Sequence, residues 1–125
     1  MNLTDCNAVC GALPGVSHVV QWGGSDVWKV GGKVFAILGG TRDAMTVTFK
    51  VSAIAYEFLK DSPGLRPAPY LASRGMKWIQ HFAAPGLGDD ELRDYITESH
   101  RIVARGLSRR RRRELGLEED RAPNA

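Results

Sequence analysis

Apolar and polar residues alternate along residues 16–50 in four short runs, which Gly-Gly pairs and polar turn residues separate. A two-residue period is typical of β-strands, and glycine pairs supply the positive φ angles of tight hairpin turns. The pattern predicts four consecutive strands, at 16–22, 26–30, 33–38 and 45–49. The third run, V-F-A-I-L, is apolar without interruption, which predicts a central strand that is buried on both faces.

Three other segments show helical spacing, with apolar side chains three or four residues apart, at 4–13, 52–61 and 89–107. The predicted N-caps of these helices are Thr4, Ser52 and Asp89, because such side chains accept hydrogen bonds from free backbone N–H groups. The predicted buried stripe of the second helix comprises Ile54, Ala55, Phe58 and Leu59. The third helix ends near residue 107 or continues through an arginine run to Leu115.

Two prolines mark the segment that follows the second helix. Pro67 and Pro69 favour an extended loop or an edge strand over 65–71, because proline cannot donate a hydrogen bond to a neighbouring strand. A fifth strand is predicted at 76–82. The element order α-β-β-β-β-α-β-α predicts an α+β fold, in which helices pack on one face of an antiparallel sheet of about five strands.

Charge is distributed unevenly along the chain. The chain has 125 residues, a length that suits one domain of ordinary size. Its formal net charge is +3. Residues 1–107 contain 11 Lys and Arg against 10 Asp and Glu, a balance of +1. Five consecutive arginines at 109–113 and an acidic group at 118–120 follow. We therefore predict a single domain over 1–107 and a C-terminal tail over 108–125, arginine-rich and then acidic.

Several function classes lack support in the sequence. No apolar run approaches the roughly 20 residues that span a bilayer, and the N-terminus does not resemble a secretory signal, so a cytoplasmic location is predicted. Cys6 and Cys10 lie four residues apart on one helix, which favours two buried thiols over a disulfide or a metal site. His18, His81 and His100 fall in different predicted elements. We predict no enzyme, no catalytic residue, no metal and no cofactor.

A family resemblance rests on four motifs and their order. They are K-V-G-G-K-V-F-A at 29–36, V-T-F-K at 47–50, P-G-L-R-P-A-P-Y-L at 63–71 and M-K-W-I at 76–79. Together they resemble the MmcQ/YjbR family over most of the chain. The resemblance implies a small bacterial domain with a CyaY-like α+β fold. It also implies DNA binding, the function usually inferred for this family from fold comparison, and it supplies no catalytic motif.

The predicted function is non-catalytic binding of nucleic acid, with DNA or another polyanion as the partner. The predicted binding face lies on the sheet and comprises the residues that match the family pattern and carry a positive charge or an aromatic ring: Lys33, Lys50, Arg66, Tyr70, Lys77 and Trp78. Cationic side chains neutralise phosphates, and aromatic rings stack on bases. In the competing interpretation the tryptophans belong to the core and the lysines to a solvated surface.

Two further alternatives stay open. The segment R-P-A-P-Y-L at 66–71, together with Lys50 and Lys77, is consistent with a small-anion or protein interaction module, since guanidinium groups suit carboxylate and phosphate. The arginine run consists of Arg109, Arg110, Arg111, Arg112 and Arg113. One interpretation is that this run binds phosphates, anionic lipid head groups or an acidic partner. The alternative interpretation is a solubilising tail. The sequence assigns no oligomeric state.

Overall fold

The fold is built on a six-stranded antiparallel sheet. The computed structural model describes residues 1–41, 43–69, 71 and 74–117. The strands are β1 (Val16–Gln21), β2 (Ser25–Val30), β3 (Lys33–Gly40), β4 (Met45–Lys50), β5 (Leu65–Pro67) and β6 (Trp78–His81). The helices are α1 (Leu3–Gly11), α2 (Ala53–Leu59), α3 (Asp89–Arg105) and α4 (Arg109–Glu114). The strands are hydrogen-bonded in the order β1-β2-β3-β4-β6-β5, and every neighbouring pair is antiparallel. None of the described helices is long and apolar enough to cross a membrane.

The core lies between one face of the sheet and the helices. α3 packs across β3 and β4, and α1 packs against α3 and the neighbouring strands. Side chains with no exposure come from both layers: Cys6, Cys10, Phe35, Leu38, Phe49, Ile79 and Ile96. Burial of this apolar surface stabilises the fold by about 25 cal/mol per Å². The predicted α+β fold, with helices on one face of an antiparallel sheet, is confirmed.

β3 occupies the predicted central position, between β2 and β4. Phe35, Ala36 and Leu38 are fully buried in it. Gly31 and Gly32, one of the Gly-Gly pairs for which a hairpin turn was predicted, join β2 to β3 with φ angles of 60° and 83°. Glycine adopts these positive angles without the steric cost that a side chain would add.

The structure corrects the strand count from about five to six. The segment for which an extended loop or an edge strand was predicted forms β5 at its first three residues, at the edge of the sheet. Pro67 is tolerated there because an edge strand leaves one side of its backbone unpaired. The strand predicted at 76–82 is shorter and spans Trp78–His81.

Two of the predicted helix caps are wrong. α1 begins one residue earlier than predicted, and Asn2 caps it in place of Thr4. The Asn2 Oδ1 accepts a hydrogen bond from the Asp5 N–H at 2.8 Å, and the Asp5 carboxylate accepts one from the Asn2 N–H at 3.2 Å. At α3, Gly88 occupies the N-cap position and Asp89 lies in the first turn. The negative charge of Asp89 interacts favourably with the helix dipole there.

The buried stripe predicted for α2 is wrong at two of its four positions. Ile54 and Phe58 are 74% and 76% exposed, whereas Leu59 is buried and Ala55 is half-buried. α2 is only seven residues long, and its main contacts are with β5 and β6 at the edge of the sheet. Only one side of this helix therefore packs against the domain.

The last helix does not continue through the arginines. α3 ends at Arg105, with Gly106 as its C-cap. The Ser108 hydroxyl accepts a hydrogen bond from the Arg111 N–H at 3.0 Å and caps the separate helix α4. After α4 the chain returns to the core, where Leu117 is 3% exposed. The first part of the predicted tail therefore packs on the domain. The acidic group at 118–120 lies outside the described residues.

Candidate functional site

The face of the sheet opposite the helices, which we call the open face, carries a second apolar layer. Antiparallel partners share a face, so the pairs Val27↔Ile37 and Lys50↔Trp78 place four neighbouring side chains on it. Val27 and Trp78 are 0% and 4% exposed, yet neither belongs to the core cluster beneath the helices. Apolar burial therefore occurs on the side of the sheet for which a basic surface was predicted.

A pocket of about 380 Å³ opens on this face. Its apolar lining comprises Trp22, Val34, Ile37, Leu71, Met76 and Trp78. Lys33 and Lys50 also line it, and Val103 contributes from α3. No Asp or Glu is among the described lining residues. The volume falls within the range of about 300–1,000 Å³ that is typical of small-molecule sites.

Trp22 lines the pocket in an unusual backbone conformation. It follows β1 with a φ angle of 54°, and Gly23 and Gly24 continue the turn at 77° and 93°. A bulky residue in this left-handed region costs about 1–2 kcal/mol, and such strained residues cluster at functional sites. The Trp22 side chain is also 61% exposed. The turn therefore presents a large aromatic ring at the pocket at a cost to stability.

Trp78 is the buried tryptophan of the lining. Its Nε1 is buried and has no hydrogen-bond partner among the described residues. Trp28 differs, because its Nε1 donates a hydrogen bond to the Asn7 Oδ1 at 2.8 Å. A buried donor without an acceptor costs about 1–3 kcal/mol, and each such group in a native fold calls for an explanation.

Ser99 of α3 connects the helix layer to the two strands beside the pocket. Its Oγ donates a hydrogen bond to the Phe35 carbonyl at 2.6 Å and accepts one from the Lys50 N–H at 2.8 Å. The β3–β4 register ends next to these groups, at the pair Ala36↔Phe49. The Ser99 hydroxyl therefore takes the place of strand-to-strand hydrogen bonds. It satisfies the Phe35 carbonyl and the Lys50 N–H, two backbone groups beside the pocket.

The structure brings together half of the six residues predicted for the binding face. Those that line the pocket are Lys33, Lys50 and Trp78. Arg66 and Lys77 do not line it, and Tyr70 lies outside the described residues. The nucleic-acid or anion role of these six residues stays a prediction.

Arg66 and Lys77 make other contacts. The Arg66 Nε and Nη2 donate hydrogen bonds to the Gln80 Oε1 at 2.9 and 2.6 Å. The Arg66 guanidinium also lies 4.3 Å from the centroid of the Phe82 ring. The Lys77 Nζ lies 4.7 Å from the centroid of the Tyr56 ring, within the range of a cation–π contact. Phosphate binding by either side chain would compete with these interactions.

The arginine run forms a separate basic surface on α4. Four of its five arginines are exposed: Arg109, Arg110, Arg111 and Arg113. Glu114 pairs with Arg110 at 3.4 Å and with Arg111 at 3.3 Å. Exposed pairs of this kind contribute about 0–1 kcal/mol, so they do not prevent the guanidinium groups from meeting another anion.

The thiols and imidazoles of the described chain lie outside the pocket lining. Cys6 and Cys10 have no exposure, and burial raises the pKa of Cys10 to about 12, which disfavours a reactive thiolate. Burial lowers the pKa of His81, whose Nδ1 accepts a hydrogen bond from the Leu87 N–H at 3.2 Å. Within the described ranges, no three His, Cys, Asp or Glu side chains gather as metal ligands. The absence of enzymatic activity stays a prediction.

The apolar part of the pocket could not be found by the sequence analysis. Trp22 precedes a Gly-Gly pair, and this position at a turn was the one available signal that its ring would be exposed. Ile37 carries no comparable signal, because the two faces of a buried strand have the same composition. Met76 falls within the strand predicted at 76–82, but it precedes β6.

Comparisons with known proteins agree with this fold. A family model, YjbR, matches residues 11–102, which confirms the resemblance to the MmcQ/YjbR family. The crystal structure of a Deinococcus radiodurans protein with the DUF419 domain is similar with a TM-score of 0.80 at 23% identity, over 94% of this chain and 90% of that one. A Pseudomonas syringae protein is similar with a TM-score of 0.66 at 18% identity, over 82% of this chain and 99% of that one. These two likenesses show the fold. No curated protein matches the chain.

Proposed function

We propose that this chain, which belongs to the YjbR family, binds a small organic molecule in the pocket on the open face and does not change it chemically. The observation that carries the proposal is the pocket lining, in which the exposed Trp22 and the buried Trp78 occur with two lysines. A mostly apolar wall with a few polar groups is the usual composition of a small-molecule site. The proposal is of the same class as the small-anion or protein interaction module predicted as the alternative function. Of the described residues named for that module, only Lys50 and Leu71 line this pocket.

Binding without catalysis fits the groups that line the pocket. General acid–base and covalent catalysis need a positioned acid, base or nucleophile. The ionisable groups among the described lining residues are two lysine amines, and this part of the lining holds no carboxylate, imidazole, thiol or hydroxyl that would work with them. Ammonium groups beside an apolar wall favour binding of a ligand that carries an anionic group.

A fragment screen on the full chain by ligand-observed NMR, followed by amide chemical-shift mapping, tests the proposal. We expect binders of millimolar affinity or better whose shifts cluster at Ile37, Lys50 and Met76. Trp22→Ala should lower the affinity for the fragments that bind by at least about tenfold, because it removes an aromatic side chain from the pocket wall. Phe58→Ala is the matched control, since Phe58 is also an exposed aromatic residue and lies on α2. The absence of binders, or shifts confined to other surfaces, would refute the proposal.

Nucleic-acid binding is a second candidate, and the exposed arginines of α4 are the observation that favours it. α4 lies beside the β2–β3 hairpin, since a Cβ on Gly31 would be 3.3 Å from the Leu115 Cδ1. Lys33 follows the same hairpin and is exposed. Guanidinium groups keep their charge and bind phosphate in a bidentate manner. The candidate surface is therefore α4 with the hairpin, in place of the sheet face.

Fluorescence anisotropy with a labelled DNA duplex at several salt concentrations tests this second candidate. Replacing Arg109 and Arg113 by Gln should weaken binding and reduce the slope of log K against log salt by up to about 2. The control replaces Arg93 and Arg105 of α3, which removes the same charge from another exposed surface. Equal losses in the two variants would show that net charge alone drives binding, and would contradict a surface on α4.

A further inference from the structure

We infer that the pocket on the open face takes an amphipathic carboxylic acid, whose carboxylate lies between Lys50 and Trp78 and whose apolar body lies against Ile37 and Met76. The inference rests on the proposed binding function and names its ligand class. Lys50 and Trp78 are direct cross-strand partners, so their Cβ atoms are about 4.5–5.5 Å apart. Both side chains line the pocket, and the Trp78 Nε1 is covered, so a planar acceptor group displaces the atoms over it when it contacts both side chains.

The first supporting observation is the indole N–H of Trp78. Trp78 lines the pocket and is 4% exposed. In the described part of the chain, its Nε1 has no hydrogen-bond partner. Tryptophan can only donate through this group, so the missing partner is an acceptor. A charged oxygen forms a stronger hydrogen bond than a neutral one, which favours a carboxylate.

The second observation is the charge of the lining. Lys33 and Lys50 line the pocket, and neither takes part in the ion pairs found among the described residues. Unneutralised ammonium groups repel a cation and attract an anion, most strongly where an apolar wall lowers the local dielectric. The other described lining residues are apolar, which favours a ligand whose remaining part is apolar as well.

The lining favours a carboxylate over a phosphate. Phosphate sites usually supply arginine forks or free backbone N–H groups at a helix N-terminus. The described lining residues include no arginine, and Ser99 already accepts the hydrogen bond of the Lys50 N–H. Two ammonium groups and one indole N–H match a monoanion with a single planar acceptor group.

Titration of the ¹⁵N-labelled full chain with 2-naphthoate tests the inference. The chain has three tryptophans, so its spectrum contains three indole N–H signals, which single Trp→Phe variants assign. We expect the Trp78 signal to move downfield and saturate, because its proton gains an acceptor. The Trp28 signal should stay in place, because this side chain already donates to Asn7. The uncharged 2-naphthamide should bind at least about tenfold more weakly than the acid.

Charge removal gives an independent measurement. Lys50→Met keeps the length of the side chain. It should weaken the binding of 2-naphthoate by at least about tenfold and that of 2-naphthamide by several-fold less, because only the acid loses a charge-assisted hydrogen bond. Lys29→Met is the matched control, since Lys29 lies on β2 and is not part of the lining. If a variant fails to fold, the indole signal of the unaltered protein still reports the hydrogen bond.

The remaining outcomes separate the ligand class from the binding function. Equal affinity for the amide and the acid, or a Trp78 signal that does not move at saturation, overturns the inference and leaves the proposed function in place. Tighter binding of 2-naphthyl phosphate than of 2-naphthoate overturns the carboxylate assignment. Occupation of the pocket by neutral fragments alone overturns the acid class. Failure of every probe and fragment overturns the proposed function as well.

Discussion

The hydroxyl of Ser99 in α3 donates a hydrogen bond to the carbonyl of Phe35 in β3 across 2.6 Å. Phe35 has no partner in the β2–β3 register, because the pairing shifts at this point, as it does at a β-bulge. The same hydroxyl accepts the Lys50 N–H of β4. One buried side chain therefore ties the helix layer to β3 and β4, two of the strands that border the pocket.

Removing this hydroxyl should destabilise the protein. We expect Ser99→Ala to lower the free energy of unfolding by about 2–4 kcal/mol, because it leaves two buried backbone groups without partners. Urea denaturation measures the change. Thr97→Ala is the control, since Thr97 is exposed on the same helix, and it should change the free energy of unfolding by less than about 0.5 kcal/mol. Similar losses in the two variants would contradict a bridging role for Ser99.

The two glycines of the β2–β3 hairpin should differ in their tolerance of alanine. Both have positive φ angles, so either substitution adds backbone strain of about 1 kcal/mol. A Cβ on Gly31 would also lie 2.6 Å from the Leu107 Cδ1, whereas one on Gly32 meets nothing within 4 Å. Gly31→Ala should therefore lower the free energy of unfolding by about 1–3 kcal/mol more than Gly32→Ala. Equal melting temperatures for the two variants would show that Leu107 moves aside without cost.

His81 should make the protein less stable in mild acid. Burial lowers the pKa of its imidazole below the usual 6.5. Between that lowered value and about pH 6.5 the unfolded chain binds a proton that the folded chain does not, so the free energy of unfolding falls as the pH decreases through this window. His81→Gln removes the contribution and should flatten the dependence between about pH 7.5 and about pH 5.5.

Urea denaturation across this pH range measures the effect of His81. His18→Gln is the comparison, because His18 lies at an exposed position of β1 and its replacement leaves the His81 contribution in place. Parallel curves for the His81→Gln variant and the unaltered protein would contradict the prediction.

The two cysteines should be inert in the folded protein. Neither is exposed, and burial raises the pKa of Cys10 to about 12, so the thiolate that reacts with disulfide reagents is scarce. We expect no colour from Ellman's reagent in native buffer and reaction of both thiols in urea. Ala8→Cys places a thiol on the exposed side of the same helix and should react at once. Rapid native labelling of the unaltered chain would contradict the burial of these side chains.

Sequence patterns placed the first four strands to within two residues of their observed ends. They succeeded because side-chain alternation and hairpin chemistry act between neighbours in the chain. The prediction of a buried stripe on α2 was wrong at two positions for a related reason. Periodicity shows that Ile54 and Phe58 share one side of a helix, but it does not show whether another element covers that side. Both are exposed, because α2 packs at the sheet edge on its other side.

The candidate site could be predicted only in part. The family motifs pointed to Lys33, Lys50 and Trp78, and the structure places all three around one pocket. The same motifs grouped Arg66 with them, although its guanidinium binds Gln80. Motifs identify which side chains recur, but hydrogen-bond partners depend on strands that pair across many residues of sequence.

Local patterns in the chain were sufficient for the order of the first six elements, from α1 to α2, for the antiparallel α+β class and for the family. Long-range packing was needed to place an apolar pocket on the open face, to leave the Trp78 N–H without a described partner and to bring α4 against the β2–β3 hairpin. These features arise from contacts between residues far apart in the chain. The surfaces that these contacts bury form only when the helices and the sheet assemble, so no short stretch of sequence specifies them.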